Sequence, residues 1–421
     1  MKFCDMPYER IDVKAATAAL DAAAEHLAGA KTLGEAEAAF EEREKIITHV
    51  HTMSTIAYIR HTVNTLDEFY EKENDFNDEN APLIEQSEQK FTEAMLSSPL
   101  RPQLEEKYGK LIFVNAELSR KCFSPEIIPD LQEENRLSSE YQKLIASAQI
   151  EFGGKTLSLA QLGAYKENSE RIIRHAAYKA ESGFYMAHAD ELDRIFDSLV
   201  KCRARIAKKL GFGTFTELAY CRQTRNCYNA GDVAAFRSRI VRDIVPVVCR
   251  LKEMQKKRTG IDDMKIYDDL FAFKEGNPKP DGSPQDILEA GKTMYERMSP
   301  ETGEFINFMY DNALMDVLSA KGKAAGGYCT EILEYKSPFI FSNFNGTSGD
   351  VDVLTHEAGH AFAYYSVRDK MELCDQLSPT MESCEVHSMS MEFFAWPWHE
   401  LFYGSDAVRY WASSARLGLD A

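Results

Sequence analysis

The sequence predicts a mainly α-helical protein with a little β-structure late in the chain. Three observations carry this. Apolar residues recur at helical spacing through most of the 421 residues. Capping and breaking residues stand where those stretches begin and end. Only a few short runs read as strands, and the last two come just before a histidine-bearing helix.

The Ala-rich stretch 13–29 predicts the first helix. From 35 to 74, Phe40, Ile46, Ile47, Val50, Met53, Ile56 and Ile59 keep roughly one apolar face, which predicts one long helix. Further helices are expected near 80–97, 102–121 and 130–148. Ile150, Phe152, Leu157 and Leu159 flank Gly153-Gly154, a β-hairpin signal near 149–160. Helices resume over 168–209, and Gly211 follows Leu210 where a C-terminal cap is expected. Another helix is expected over 230–257. Residues 276–284, dense in Pro, Gly and Asn, read as a surface loop inside one lobe. Strands are expected at 328–332 and 339–344, the second closed by an Asn345-Gly346 turn.

Bulk properties narrow the function. The length suggests two or three sub-domains. Apolar residues make up 44% and charged residues 28%, as in ordinary globular proteins. A net charge of −18 argues against nucleic acid or an anionic membrane as partner, because both would repel the chain. No apolar run approaches the ~20 residues that a membrane span needs, and MKFCDMPYERID shows no secretory apolar region. Nine cysteines are scattered at 4, 122, 202, 221, 227, 249, 329, 374 and 384, without a CxxC pair. That pattern reads as free thiols in a reducing compartment, so a cytoplasmic location is expected.

The chemistry is concentrated at residues 356–360, His-Glu-Ala-Gly-His. On a helix, i and i+4 share a face, so both imidazoles can point at one metal. Zn²⁺ accepts neutral imidazole nitrogen readily. Glu357 is adjacent on the helix and takes a different direction, that of a general base. Ser348-Gly349-Asp350 offers an N-cap and an acidic first turn, and Asp352, one turn before His356, reads either as a carboxylate that orients that imidazole or, equally, as an exposed one that favours the helix start. A third ligand is required. Ser378-Pro379 reads as the start of a further helix that carries Glu382, Glu385, His387 and Glu392. Glu385 is favoured over Glu382, and His387 is the rival ligand. The residues after His360, AFAYYS, lack the third histidine of metzincins.

FSNFNGTSGDVDVLTHEAGHAF, followed by EVHSMSMEF, resembles the thimet oligopeptidase and oligoendopeptidase F family of zinc peptidases, closest to the oligoendopeptidase F branch. GGYCT and RIAKKLGFGTFTEL extend the likeness upstream. The resemblance implies His356, His360 and Glu385 as ligands of one zinc ion per chain, with Glu357 as base and Glu392 as the later acidic residue. It implies a gluzincin: two helical lobes around a deep channel, with a small sheet beside the HExxH helix. The lobes are expected at 1–190, with the hairpin, and at 191–421 for the catalytic part. Short peptides are the implied substrates. The strand at 339–344, with Asn343 and Phe344, is expected to pair with them along its edge. The family also continues beyond the glutamate ligand into a segment with an oxyanion-stabilising Tyr and His, which is expected to lie beyond Ala421. The alternative expectation is therefore a weakly active or inactive zinc- and peptide-binding fragment.

Overall fold

The structure, a computed structural model, describes residues 1–377 and 379–411. Helix α1 (Val13–Gly29) starts at Asp12, whose side chain accepts from the Ala15 amide. Helix α2 (Leu33–Val63) starts at a reciprocal Thr32–Glu35 capping box. Both devices satisfy amides that a helix start leaves open. The expected continuous helix over 35–74 is broken: α3 (Glu68–Ser97) begins afresh at Asp67, which accepts from the Phe69 and Tyr70 amides. Apolar periodicity runs through that break, so the cap alone marks it. The expected 102–121 helix is likewise two, α4 (Arg101–Tyr108) and α5 (Lys110–Ser119), split at Gly109 with φ 88°. Helix α6 (Ile128–Ala146) follows.

The hairpin forms as antiparallel β1 (Ile150–Phe152) and β2 (Lys155–Leu157). Gly153 and Gly154 have φ of 58° and 76°, the pair of positive values a two-residue turn needs. Then come α7 (Leu159–Lys166), α8 (Arg171–Ala187), α9 (Ala189–Lys209), α10 (Phe215–Arg222), α11 (Ala230–Arg239) and α12 (Val245–Thr259). The 168–209 stretch is divided at His188, and a π-helical turn over 240–244 separates α11 from α12. Helices α13 (Pro284–Met298) and α14 (Pro300–Asp311) both begin with proline after a capping serine, Ser283 and Ser299.

Three strands build a small mixed sheet: β3 (Met315–Leu318), β4 (Tyr328–Ile332) and β5 (Ser337–Phe344), in the order β3-β5-β4. Strand β3 pairs parallel to β5, and β4 pairs antiparallel to it. Four residues, MDVL, leave too little periodicity for β3 to be read from sequence. The order corrects one expectation. Strand β5 is central and bonded on both sides, so it has no edge to offer a peptide; the edge strands are β3 and β4. The remaining helices are α15 (Gly349–Val367), α16 (Met381–Ala395) and α17 (Glu400–Tyr403).

The main core draws on both sides of residue 190. Met6, Ile11, Leu20, Met53, Ile56 and Ile59 pack with Phe305, Phe339, Phe341, Leu354, Ala358 and Met391. The Phe3 ring lies 4.5 Å from that of Phe339, and its amide donates to the Asn312 carbonyl at 2.9 Å. A second core, including Phe40, Phe91, Leu104, Tyr108 and Phe113, joins α1 to α5. The mainly helical architecture with small sheets is thus the one expected. Among the described residues no helix is long and apolar enough to cross a membrane.

Candidate metal centre

Helix α15 carries His356, Glu357 and His360, and α16 carries Glu385 and Glu392. The start of α15 differs from the reading of Ser348 as a cap: Ser348 makes no side-chain cap bond. Asp350 instead turns back, accepting from the Asn345 amide at 2.9 Å and the Gly346 amide at 2.7 Å. It thereby fixes the turn between β5 and α15. Helix α16 begins at Met381 with Thr380 before it, so Pro379 precedes the helix, and Ser378 lies outside the described residues.

The two helices meet very closely. A Cβ on Gly359 would stand 2.7 Å from Ser388 Cα and 2.8 Å from the His387 carbonyl oxygen. Only glycine lets the α16 backbone come this near to α15. The approach brings Glu385 Oε2 to 3.3 Å from His356 Nε2 and 3.9 Å from His360 Nε2. The three donor atoms all lie within 4.8 Å of one another. Two imidazole nitrogens and one carboxylate oxygen, with a side left open, are the donor set of a catalytic zinc site. The residues present fit that metal.

Two of the three donors are held from behind. Glu392 Oε1 lies 2.7 Å from His356 Nδ1, which turns Nε2 toward the site. Ser388 Oγ donates to Glu385 Oε2 at 2.7 Å. The hydrogen bond to Glu392 raises the His356 pKa, whereas burial, with His356 beside it, lowers that of His360. Glu357 is buried, and burial, opposed by His356 and reinforced by Glu385, pushes its carboxyl up to about 7. A cation bound beside it would draw that value down. Gly327 makes room for it: a Cβ there would stand 3.4 Å from Glu357 Oε1.

The other predicted residues fall as follows. Asp352 is not the orienting partner of His356; it accepts from the Tyr410 hydroxyl, and burial pushes its carboxyl up to about 7. The orienting role belongs to Glu392. His387 is exposed and lines the cavity, but stands outside the three-donor cluster. Glu382 is taken by Arg225, whose Nε donates to it at 2.8 Å. Asn343 Nδ2 donates to the Ala324 and Gly326 carbonyls at 2.8 and 2.9 Å, and Phe344 is buried in the core. Neither belongs to the described cavity wall. Ser388, and the edge position of the expected strand β4 at the cavity, escape sequence reasoning, since only tertiary packing brings them to the site.

The donors open on a cavity of about 1730 Å³. It is lined by Tyr108, Leu111, Ile112 and Asn115, by Thr224, Asn226, Cys227 and Tyr228, and by residues of β4, α15 and α16. A family model described as the peptidase M3 N-terminal domain matches residues 3–123, and one described as peptidase family M3 matches residues 164–407.

The chain belongs to peptidase family M3.

Within this M3 family it is similar to oligoendopeptidase F, chromosomal, of Lactococcus lactis subsp. cremoris, with 25% identity over 226 residues. That match covers 49% of the chain and 33% of the relative, so the chain spans about a third of that relative's length. A crystal structure provisionally named oligoendopeptidase F, from Bacillus anthracis str. Ames, superposes with a TM-score of 0.98 at 47% identity. It is covered to 77%, and this chain to 100%. PZ peptidase A, solved with an inhibitor, gives a TM-score of 0.97 at 48% identity, covering 99% of this chain and 74% of that one.

Proposed function

We propose that the chain is a zinc endopeptidase that hydrolyses short peptides. The convergence of His356, His360 and Glu385 on one point, with Glu357 beside it, carries this reading. One zinc ion per chain would be held by those three residues. When bound, the metal supplies a Lewis acid that polarises the scissile carbonyl and acidifies water.

The chain's own residues supply the rest. Glu357, buried over Gly327, takes a proton from the attacking water and passes it to the leaving amine. Glu392 keeps His356 in the tautomer whose Nε2 faces the site. The edge strand β4 is positioned to pair with an extended peptide by main-chain hydrogen bonds, the role expected of the 339–344 strand. A cavity this size takes a peptide and turns away a folded domain. All nine cysteines are free, which supports a reducing, cytoplasmic setting.

The test is cleavage of an internally quenched peptide by the zinc-loaded chain, with and without a chelator. Glu357→Gln is expected to lower turnover by at least about 10²-fold while the bound zinc, read by metal analysis, is retained. Undiminished cleavage by that variant would overturn the assignment of the base. Zinc bound without any cleavage would leave a zinc- and peptide-binding protein in place of an enzyme.

A further inference from the structure

Two carboxamides in the cavity wall have bonding capacity that their contact with each other does not use. Asn115 on α5 and Asn226, between α10 and α11, both line the cavity and are half-buried. Asn226 Nδ2 donates to Asn115 Oδ1 at 2.7 Å. Each carboxamide also carries a group outside that bond. Asn115 Nδ2 remains as a donor and Asn226 Oδ1 as an acceptor, and neither atom has a partner among the described residues.

The fold holds the pair in place. Thr224 has φ 55°, a left-handed conformation that is costly for a β-branched residue. The turn it makes is closed by the Thr224 amide on the Cys221 carbonyl at 3.0 Å and the Arg225 amide on the Tyr220 carbonyl at 3.1 Å. Arg225 Nε then donates to Glu382 Oε1 at 2.8 Å, on α16 one turn before Glu385. The strained turn thus sets Asn226 against α5, and its anchor ties Asn226 to the helix that carries Glu385. An extended peptide offers the N–H and C=O of one residue along the same edge. One such residue can donate to Asn226 Oδ1 and accept from Asn115 Nδ2, with no part for its side chain.

We infer that Asn115 and Asn226 form a docking point for the main chain of an extended peptide, one residue wide and additional to the edge of β4. The inference rests on the peptidase reading above and deepens it. At this point the cleft reads the substrate's backbone, so it accepts any side chain and disfavours a residue without an N–H.

The experiment uses the zinc-loaded chain and uncharged, internally quenched peptides. Asn226→Ala and Asn115→Asp are each expected to raise KM about three- to tenfold, with kcat within about twofold of the parent and zinc content unchanged. Asn115→Asp is the sharper variant, because its carboxylate still accepts from Asn226 Nδ2 and only the outward donor is lost. If the pair served only to tie α5 to the 224–228 segment, Asn115→Asp would keep the parent KM, and that outcome would overturn the inference. A second series N-methylates the peptide at one residue at a time. One position should lose about three- to tenfold in kcat/KM with the parent and nothing with Asn226→Ala, whereas losses due to pairing with β4 persist in both. The same losses in both proteins would overturn the inference and leave the peptidase reading intact. If the parent cleaves no peptide, the peptidase reading itself fails. Docking is then read from binding of the same peptides, fluorescently labelled, where equal Kd values for the parent and Asn115→Asp would overturn it.

Discussion

At the scale of single residues, the site separates ligands from their supports. Glu385→Ala removes one of three donors, so zinc should be lost on dialysis, whereas His387→Ala should retain it, since His387 stands outside the donor cluster. Metal content of the two purified variants decides between them. Glu392→Gln keeps the shape behind His356 but removes the charge that orients it, and a loss of about 10–100-fold in zinc affinity is expected. Competition with a chelator measures it; unchanged affinity would show that His356 needs no such support. The two histidines and Glu357 were legible in the sequence because their geometry is local, one turn of one helix. Glu385 was legible only by weighing it against Glu382 and His387, since a ligand on another helix depends on how the two pack. Asp352 shows the limit of local reasoning. Helical spacing put it on the face of His356, but Tyr410, 58 residues later, claims its carboxylate.

At the scale of elements, the contact between α15 and α16 sets the distance between ligands. Gly359→Ala would press a methyl carbon to within 2.7 Å of Ser388 Cα, which is backbone and does not swing aside. Such overpacking commonly costs about 1–3 kcal/mol, and here the strain is relieved by moving α16, and Glu385 with it. A lowered Tm together with weakened zinc binding is expected, read by thermal melts with and without metal. A lowered Tm with native zinc affinity would mean that α16 adjusts without carrying Glu385 away. Most helices were legible from apolar period, but their breaks were not. Asp67, Gly109 and His188 interrupt stretches whose periodicity continues across them, because the apolar face serves the core while the break serves the path of the chain. The sheet order was hidden for a related reason. The apolar run in β5 reads equally as edge or centre until β3, only four residues long, is known to lie beside it.

At the scale of the molecule, buried charge ties distant segments together. Asp268 is fully buried and accepts from Arg171 and from Arg174 Nη2, the latter at 2.7 Å. Arg174 is itself buried and lies over the Phe271 ring at 3.9 Å. This network fastens α8 to the segment before α13. Burial alone would raise the Asp268 carboxyl, but the hydrogen bonds from Arg171 and Arg174 outweigh it and hold the pKa below the usual range. A carboxylate depressed in the folded state stabilises fully above its unfolded pKa, near 3.9, and that contribution is lost as pH falls through the folded value. Asp268→Asn should therefore cost about 3–5 kcal/mol near pH 7, by stranding a buried guanidinium. The difference from the parent chain should shrink below about pH 4. Urea midpoints at several pH values test both statements; a difference independent of pH would remove the ion pair from the explanation.

The contact between Phe3 and Phe339 bears on timing. During synthesis at about 5–20 residues per second, Phe3 waits on the order of tens of seconds before the strand that shelters it exists. The helix bearing His356 follows that strand and packs into the same core. Early helices can form alone, but the core that holds the metal ligands closes only when the late strands arrive. Long-range closures of this kind are slow. The helix that bears His356 can therefore take its place only after the whole stretch from Phe3 to Phe339 has been delivered.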